Sequence, residues 1–277
     1  MIDKRTIIRD ELISLNRQTP MLMGVLNVTP DSFSDGGLYE QRTDALARAK
    51  AMVKEGASIL DIGGESTRPG STPVSEAVEL CRTQQIMLDL YQASPIPLSI
   101  DTYKANVAAQ NAAAGAIIIN DISGMTYDPN MAEVVAQSGS IIVVTYNRGE
   151  TREDINLVDD MRAFFDLAYA RADYAGVPKA HIWLDPGIGF AKTVAQNFQS
   201  LRRLDVICDY GSPVLVGVSR KSFIGKTLNN EVDERLPASL AAGLFALQNG
   251  ANALRVHDVR AHADAIKIQQ RIYQADV

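Results

Sequence analysis

Short apolar runs recur along the chain, each ending in polar residues or glycine, the signature of strands that open into loops. Eight are predicted strands: Met21 to Asn27, Ile59 to Gly63, Pro97 to Asp101, Ala116 to Asp121, Ser140 to Tyr146, Ile182 to Asp185, Pro213 to Val218 and Ala253 to His257. Segments with helical spacing alternate with them: Asp44 to Glu55, Ser75 to Tyr91, Asn106 to Ala114, Asn130 to Ser138, Val158 to Ala175, Val194 to Asp205, Pro237 to Asn249 and Ala261 to Tyr273. Gly56, Gly115, Gly139, Gly176 and Gly250 stop helices and are followed almost at once by a strand, so the returns are short. Strand-to-helix connections are longer and more polar, and Asp128-Pro129 reads as a helix start, with Asp as N-cap.

Strands that alternate with helices call for a parallel sheet, because each parallel strand needs a crossover. Runs apolar on both faces imply a sheet covered on both sides. Eight such units in one chain match a closed (β/α)8 TIM barrel, a single domain over residues 1–277 with residues 1–19 covering the barrel floor. An open doubly wound sheet is the alternative, but no GxGxxG or GxxxxGK[ST] loop follows the first strand.

Composition narrows the partners. With 27 Lys and Arg against 33 Asp and Glu, the net charge is −6, and no basic stripe argues for nucleic acid. Residues 1–19 lack the apolar core of a signal peptide and no later run is long enough to span a bilayer, so a cytoplasmic protein with no membrane partner is expected. Cys81 and Cys208 fit no metal or redox spacing and read as space-filling.

In a barrel, the strand C-termini share one face, where chemistry belongs. Asp101, Asn120, Asp185 and Lys221 would place carboxylate, amide and ammonium groups in the mouth, enough to read the edge of a flat heterocycle through charge-assisted bonds. A structural Asp–Lys ion pair is the competing reading of any one of them. Arg68, Arg255 and His257, with Asn27 nearby, suit a multiply charged phosphate, and the neutral oxygen of Asn27 is acceptable to Mg2+ when phosphate and water supply its other ligands. Ser219-Arg220-Lys221-Ser222 opens a helical turn whose free N–H groups, with Ser222, would receive a carboxylate. His181 and His262 read as structural or exposed.

These stretches resemble bacterial dihydropteroate synthases. MGVLNVTPDSFSDGG at 23–37 and DIGGESTRPG at 61–70 match the family's first two motifs; SIDTYK from Ser99, IINDISG from Ile118, LDPGIGFAKT from Leu184, GVSRKSFIG from Gly217 and LRVHDV from Leu254 complete the set in order. The resemblance implies a barrel that condenses 6-hydroxymethyl-7,8-dihydropterin diphosphate with 4-aminobenzoate, releasing diphosphate and 7,8-dihydropteroate in folate synthesis. It implies pterin contacts from Asp101, Asn120, Asp185 and Lys221. For the diphosphate it implies contacts from Asn27, Thr67, Arg68, Arg255 and His257, with Mg2+ held through Asn27. Phe33, Thr67, Pro69, Phe190, Lys221 and Ser222 would surround the aminobenzoate. It also implies a homodimer and sensitivity to sulfonamides.

The chemistry fits an SN1-like route. Loss of diphosphate leaves a cation that the electron-rich dihydropterin delocalises, so Arg255, His257, Asn27 and Lys221 would act by neutralising charge. The arylamine is neutral at pH 7, so no general base is assigned. Loops 27–38 and 64–72 would act as lids, with Asp35 pairing Arg68. The chain departs from the family after the fifth strand, where Thr145-Tyr146-Asn147 stands in place of an expected Met-His, and the larger phenol is expected near the pterin floor. Two other readings remain open: a pterin-binding methyltransferase working with a corrinoid protein, and a non-catalytic pterin-binding homologue.

Overall fold

The structure, a computed structural model, describes residues 4–14, 19–29, 38–66 and 71–275. Its strands are β1 (Met21–Asn27), β2 (Ile59–Gly63), β3 (Leu98–Asp101), β4 (Ile118–Asp121), β5 (Ile141–Thr145), β6 (Ile182–Asp185), β7 (Leu215–Val216) and β8 (Ala253–Val256). The helices are α1 (Lys4–Ser14), α2 (Leu38–Glu55), α3 (Glu76–Ala93), α4 (Ala105–Ala114), α5 (Met131–Ser138), α6 (Leu157–Tyr174), α7 (Val194–Arg202), α8 (Asp205–Cys208), α9 (Ser222–Leu228), α10 (Leu236–Gln248) and α11 (Val259–Gln274). All strand pairs are parallel, in the order β6-β5-β4-β3-β2-β1-β8-β7. A parallel bridge from Leu184 to Val214 joins the two ends, so the sheet closes into a (β/α)8 barrel.

Alternation along each strand sorts the apolar residues into two cores. Met21, Met23, Ile59, Ile118, Ile141, Val143, Trp183, Leu215 and Ala253 pack together as the barrel interior. Their neighbours in sequence, among them Leu22, Leu60, Ile119, Ile142, Val144, Leu184, Val216 and Leu254, pack outward with helix residues such as Met52, Met87, Met161 and Phe165. Continuing the inward parity toward the strand C-termini reaches Asp61, Asp101, Asn120, Asp185 and Arg255. The interior is therefore apolar at one end and charged at the other.

Helix α1 closes the apolar end. Leu12 joins the interior core, with Ile8 and Ile13 packed against it. Arg5 locks the helix in place by donating to Ala116 O at 2.9 Å, Ser138 O at 2.9 Å and Ser140 Oγ at 2.7 Å. At the end of α4, Gly115 has φ +129°, and a Cβ there would stand 2.4 Å from Tyr91 Cγ, so only glycine makes this return.

Four features differ from the sequence reading. Helices α1 and α8 add to those expected, and α9 follows from the helical turn that Ser222 opens. Asp128 does not cap α5, which begins after Asn130; its Oδ1 accepts from Asn130 N at 3.0 Å and its Oδ2 from Ala105 N at 2.9 Å, tying the start of α4 to the next connection. Tyr146 points away from the pterin floor: it lies in the outer core, fully buried, with its ring edge-on to Phe164 at 5.3 Å and its hydroxyl donating to Asp160 of α6. The reason is parity, since Thr145 beside it shares the inward register of Val143. Cys81 and Cys208 are both free thiols, Cys208 half-buried but Cys81 exposed on α3, so Cys81 does not fill core space as expected.

Candidate active site

The register places the polar strand ends at one level. Asn27 is paired with Gly63, Gly63 with Asp101, and Asp101 with Asn120. Arg255 on β8 reaches across this layer. Its Nε donates to Asp61 Oδ2 and its Nη2 to Asp101 Oδ2, each at 2.6 Å, while Asn120 Nδ2 donates to the same Asp61 oxygen at 3.1 Å. One guanidinium thus faces two carboxylates whose side chains are 0% and 3% exposed, an arrangement in which burial penalises the second negative charge. Burial raises the pKa of Asp101 to about 7, against the pull of Arg255 and with a further push from Asp61. Burial alone would lower Arg255, but Asp101 and Asp61 outweigh it and hold the guanidinium charged. Asp61 Oδ1 and Asp101 Oδ1 are buried with no partner among the described residues, which leaves two acceptors for the N–H groups of a ligand.

Beside this layer opens a cleft of about 250 Å3 lined by Val25, Asn27, Ser66, Phe190, Lys221, Ser222, Arg255 and His257, among others. Lys221 Nζ donates to Ile188 O and lies 4.4 Å from the centre of the Phe190 ring. Burial lowers the Lys221 pKa to about 8, with Asp185 opposing the fall. Burial likewise raises Asp185, with Lys221 the chief group opposing it, and Asp185 Oδ1 accepts from Gly187 N at 2.7 Å. His257 is oriented by Ser219, whose Oγ meets His257 N at 3.2 Å and Nδ1 at 3.1 Å. Arg220 holds φ +59° and turns its guanidinium onto Asp258, with Nε 2.8 Å from Oδ2.

Between Glu65 and α3 lies a second buried charge cluster. Lys104 Nζ donates to Glu65, to Glu79 Oε2 at 2.6 Å and to Val74 O at 2.8 Å, and Tyr103 also donates to Glu65. The structure therefore gathers Asn27, Asp101, Asn120, Asp185, Phe190, Lys221, Ser222, Arg255 and His257 at one mouth. Phe33, Asp35, Thr67, Arg68 and Pro69 lie outside the described residues. Sequence reasoning assigned no role to Asp61, Glu65 or Lys104. For Asp61 the signal was present, a carboxylate in the middle of the apolar run ILDIG. His181 and His262 stand elsewhere, each with Nδ1 against a backbone carbonyl.

A closed barrel with a sealed apolar floor and an under-satisfied charged mouth defines a TIM-barrel enzyme that works at its strand C-termini. Residues 23–257 match the pterin binding enzyme family. A dihydropteroate synthase of Bacillus subtilis is 43% identical over 268 residues, covering 96% of this chain and 94% of its own. One of Synechocystis is 46% identical over 260 residues, covering 91% and 90%. Among solved structures, a dihydropteroate synthase from Clostridium difficile in the presence of pteroic acid has a TM-score of 0.89 at 42% identity, covering 92% of this chain and 97% of that one. Another, from Xanthomonas albilineans with 4-aminobenzoic acid, has a TM-score of 0.89 at 40% identity, covering 94% and 95%. The chain belongs to the pterin-binding enzyme family, and within it to the dihydropteroate synthases.

Proposed function

We infer that the protein is a transferase that joins 6-hydroxymethyl-7,8-dihydropterin diphosphate to 4-aminobenzoate, giving 7,8-dihydropteroate and diphosphate. The observation that carries this reading is the shared mouth: ring-reading groups (Asp101, Asn120, Asp185) lie beside anion-binding ones (Asn27, Arg255, His257), with Phe190, Lys221 and Ser222 lining the same cleft. The free oxygens Asp61 Oδ1 and Asp101 Oδ1 suit a ligand edge rich in N–H donors.

The donors near Asn27 fit Mg2+. Asn27 Oδ1 lies 3.4 Å from the point a Cβ on Gly63 would occupy, so glycine leaves this neutral hard oxygen uncovered. Among the described residues no group of three or more His, Cys, Asp or Glu could hold a metal, and a cation with few protein ligands that completes its shell from phosphate and water behaves as Mg2+ does. When bound, Mg2+ supplies positive charge against the departing phosphate oxygens. Asn27, His257 and Arg255 hold the same leaving group, while Asp185 and Asn120 fix the pterin so that its methylene faces the cleft. The C–O bond breaks with its electron pair going to diphosphate, the amine nitrogen forms the new C–N bond, and the amine proton leaves afterwards. Residues at the mouth stabilise the charge that develops and keep water from the pterin cation.

A homodimer in the cytoplasm is part of the same proposal. It is supported by the family resemblance; no helix among the described residues is long and apolar enough to cross a membrane. A coupled assay for diphosphate release tests the function: release should require both substrates and Mg2+. Release without aminobenzoate, or methyl transfer from a methylated folate in its place, would overturn the assignment.

A further inference from the structure

The loop between β6 and α7 carries Phe190 and the carbonyl that holds Lys221, and it is secured from behind by a side chain with no part in the reaction above. Lys192 Nζ donates to three backbone carbonyls: Gly187 O at 2.9 Å, Tyr146 O at 3.1 Å and Phe190 O at 3.2 Å. An ammonium has three N–H groups, and each is met. The same nitrogen lies 4.2 Å from the centre of the Tyr146 ring, a cation–π contact. That ring is itself fixed, since its hydroxyl donates to Asp160 and Asp160 faces Arg148 Nη1 at 3.4 Å. Arg148 Nη2 also reaches the loop, at Ala191 O, 3.2 Å away.

The loop is pressed tightly against the end of β5. Gly187 has φ +65°, and a Cβ there would stand 2.0 Å from Tyr146 O and 3.2 Å from Lys192 Nζ. Downstream, a capping box fixes the start of α7, with Gln196 N to Thr193 Oγ1 at 3.1 Å and Thr193 N to Gln196 Oε1 at 3.0 Å. On the opposite side of the loop, Ile188 O receives Lys221 Nζ and Phe190 sets its ring beside that ammonium.

We propose that Lys192, seated on Tyr146, is a positioning residue for the second substrate: it fixes residues 187–190 so that the Phe190 ring stands where the arylamine needs it. This rests on the synthase reading. Burial lowers the Lys192 pKa to about 7, with Asp185 opposing and Arg148 and Lys221 adding to the fall, while Asp160 raises it. Assays at about pH 6 therefore keep the three-donor form.

Steady-state kinetics of Lys192→Met should show the KM for 4-aminobenzoate raised about tenfold or more, with kcat and the KM for pterin diphosphate within about threefold of wild type. Lys192→Gln, which keeps two N–H donors, should fall between the two and serves in its place if the methionine variant does not fold. An unchanged KM for 4-aminobenzoate, or equal losses in all three constants, overturns the proposal. If the wild type itself does not turn over, the synthase reading fails, and hydrogen exchange of the ligand-free proteins decides the inference on its own. Protection of the Gly187, Gly189 and Phe190 amides should drop about tenfold or more in the variant, and unchanged protection rejects the staple.

Discussion

Arg255→Met keeps a stem of comparable length and removes the guanidinium that bonds both Asp61 and Asp101. The two bonds lost are 2.6 Å each and end on buried carboxylates. Stripping one partner from a buried pair costs about 3–5 kcal/mol, because the remaining charge is left uncompensated. The variant recovers part of this by protonating Asp101, whose pKa burial already raises from 3.8 to about 7. The folded chain holds this proton more tightly than the unfolded chain does, so the associated stability is fully present below about pH 4 and is lost as the pH rises through 7. Without Arg255 the loss extends to higher pH. Urea unfolding followed by the single tryptophan, Trp183, should therefore show a deficit of about 3–5 kcal/mol at about pH 8, shrinking to about half or less near pH 5. A deficit below about 1 kcal/mol at the higher pH, or one of equal size at both, would refute the account of the buried triad.

Lys221→Ala and Asp185→Asn should each weaken pterin binding about tenfold or more, since each leaves a buried polar partner unmatched, and a near-wild-type calorimetric titration would contradict this. The Lys221 ammonium is lost above about pH 8, so wild-type pterin affinity should fall through that range while Lys221→Met stays flat; parallel profiles would assign the titration elsewhere. Lys104→Met should lower stability by about 3–5 kcal/mol by stranding Glu65 and Glu79, and a melting curve within about 1 kcal/mol of wild type would dismiss the cluster as an anchor. Burial pushes Glu65 upward but its bond to Lys104 wins and lowers the pKa, so in wild type this contribution is present above pH 4.5 and fades on acidification below it. Tyr146→Phe should cost about 1–3 kcal/mol through the loss of the Asp160 bond yet leave pterin affinity within about twofold; a large affinity loss would place the ring inside the barrel after all.

The strands were legible because a barrel sheet is covered on both faces, so most strands appear as apolar runs with a polar tip. Helix α1 was not, because only Leu12 of its residues is buried and its charges dominate the pattern. The partners of Arg255 were equally hidden: Asp61 lies 194 residues away in sequence, and only closure of β8 onto β1 and β2 brings them together. The same holds for Lys104 and Glu65, 39 residues apart. The outward placement of Tyr146 was within reach, since Val143 and Thr145 share one parity and Val144 and Tyr146 the other. Reading that alternation one residue further would have placed the phenol against α6 from the start.

Among the described residues, Leu12 and Arg5 plug the barrel floor and leave the mouth at the strand C-termini as the way in. On the proposed function, a pterin held against Asp101 and Asn120 would have to be seated before its co-substrate, and a product spanning both regions would leave by the way they entered. Product-inhibition patterns in which the shallow ligand competes only after the deep one is seated would be the kinetic expression of that queue.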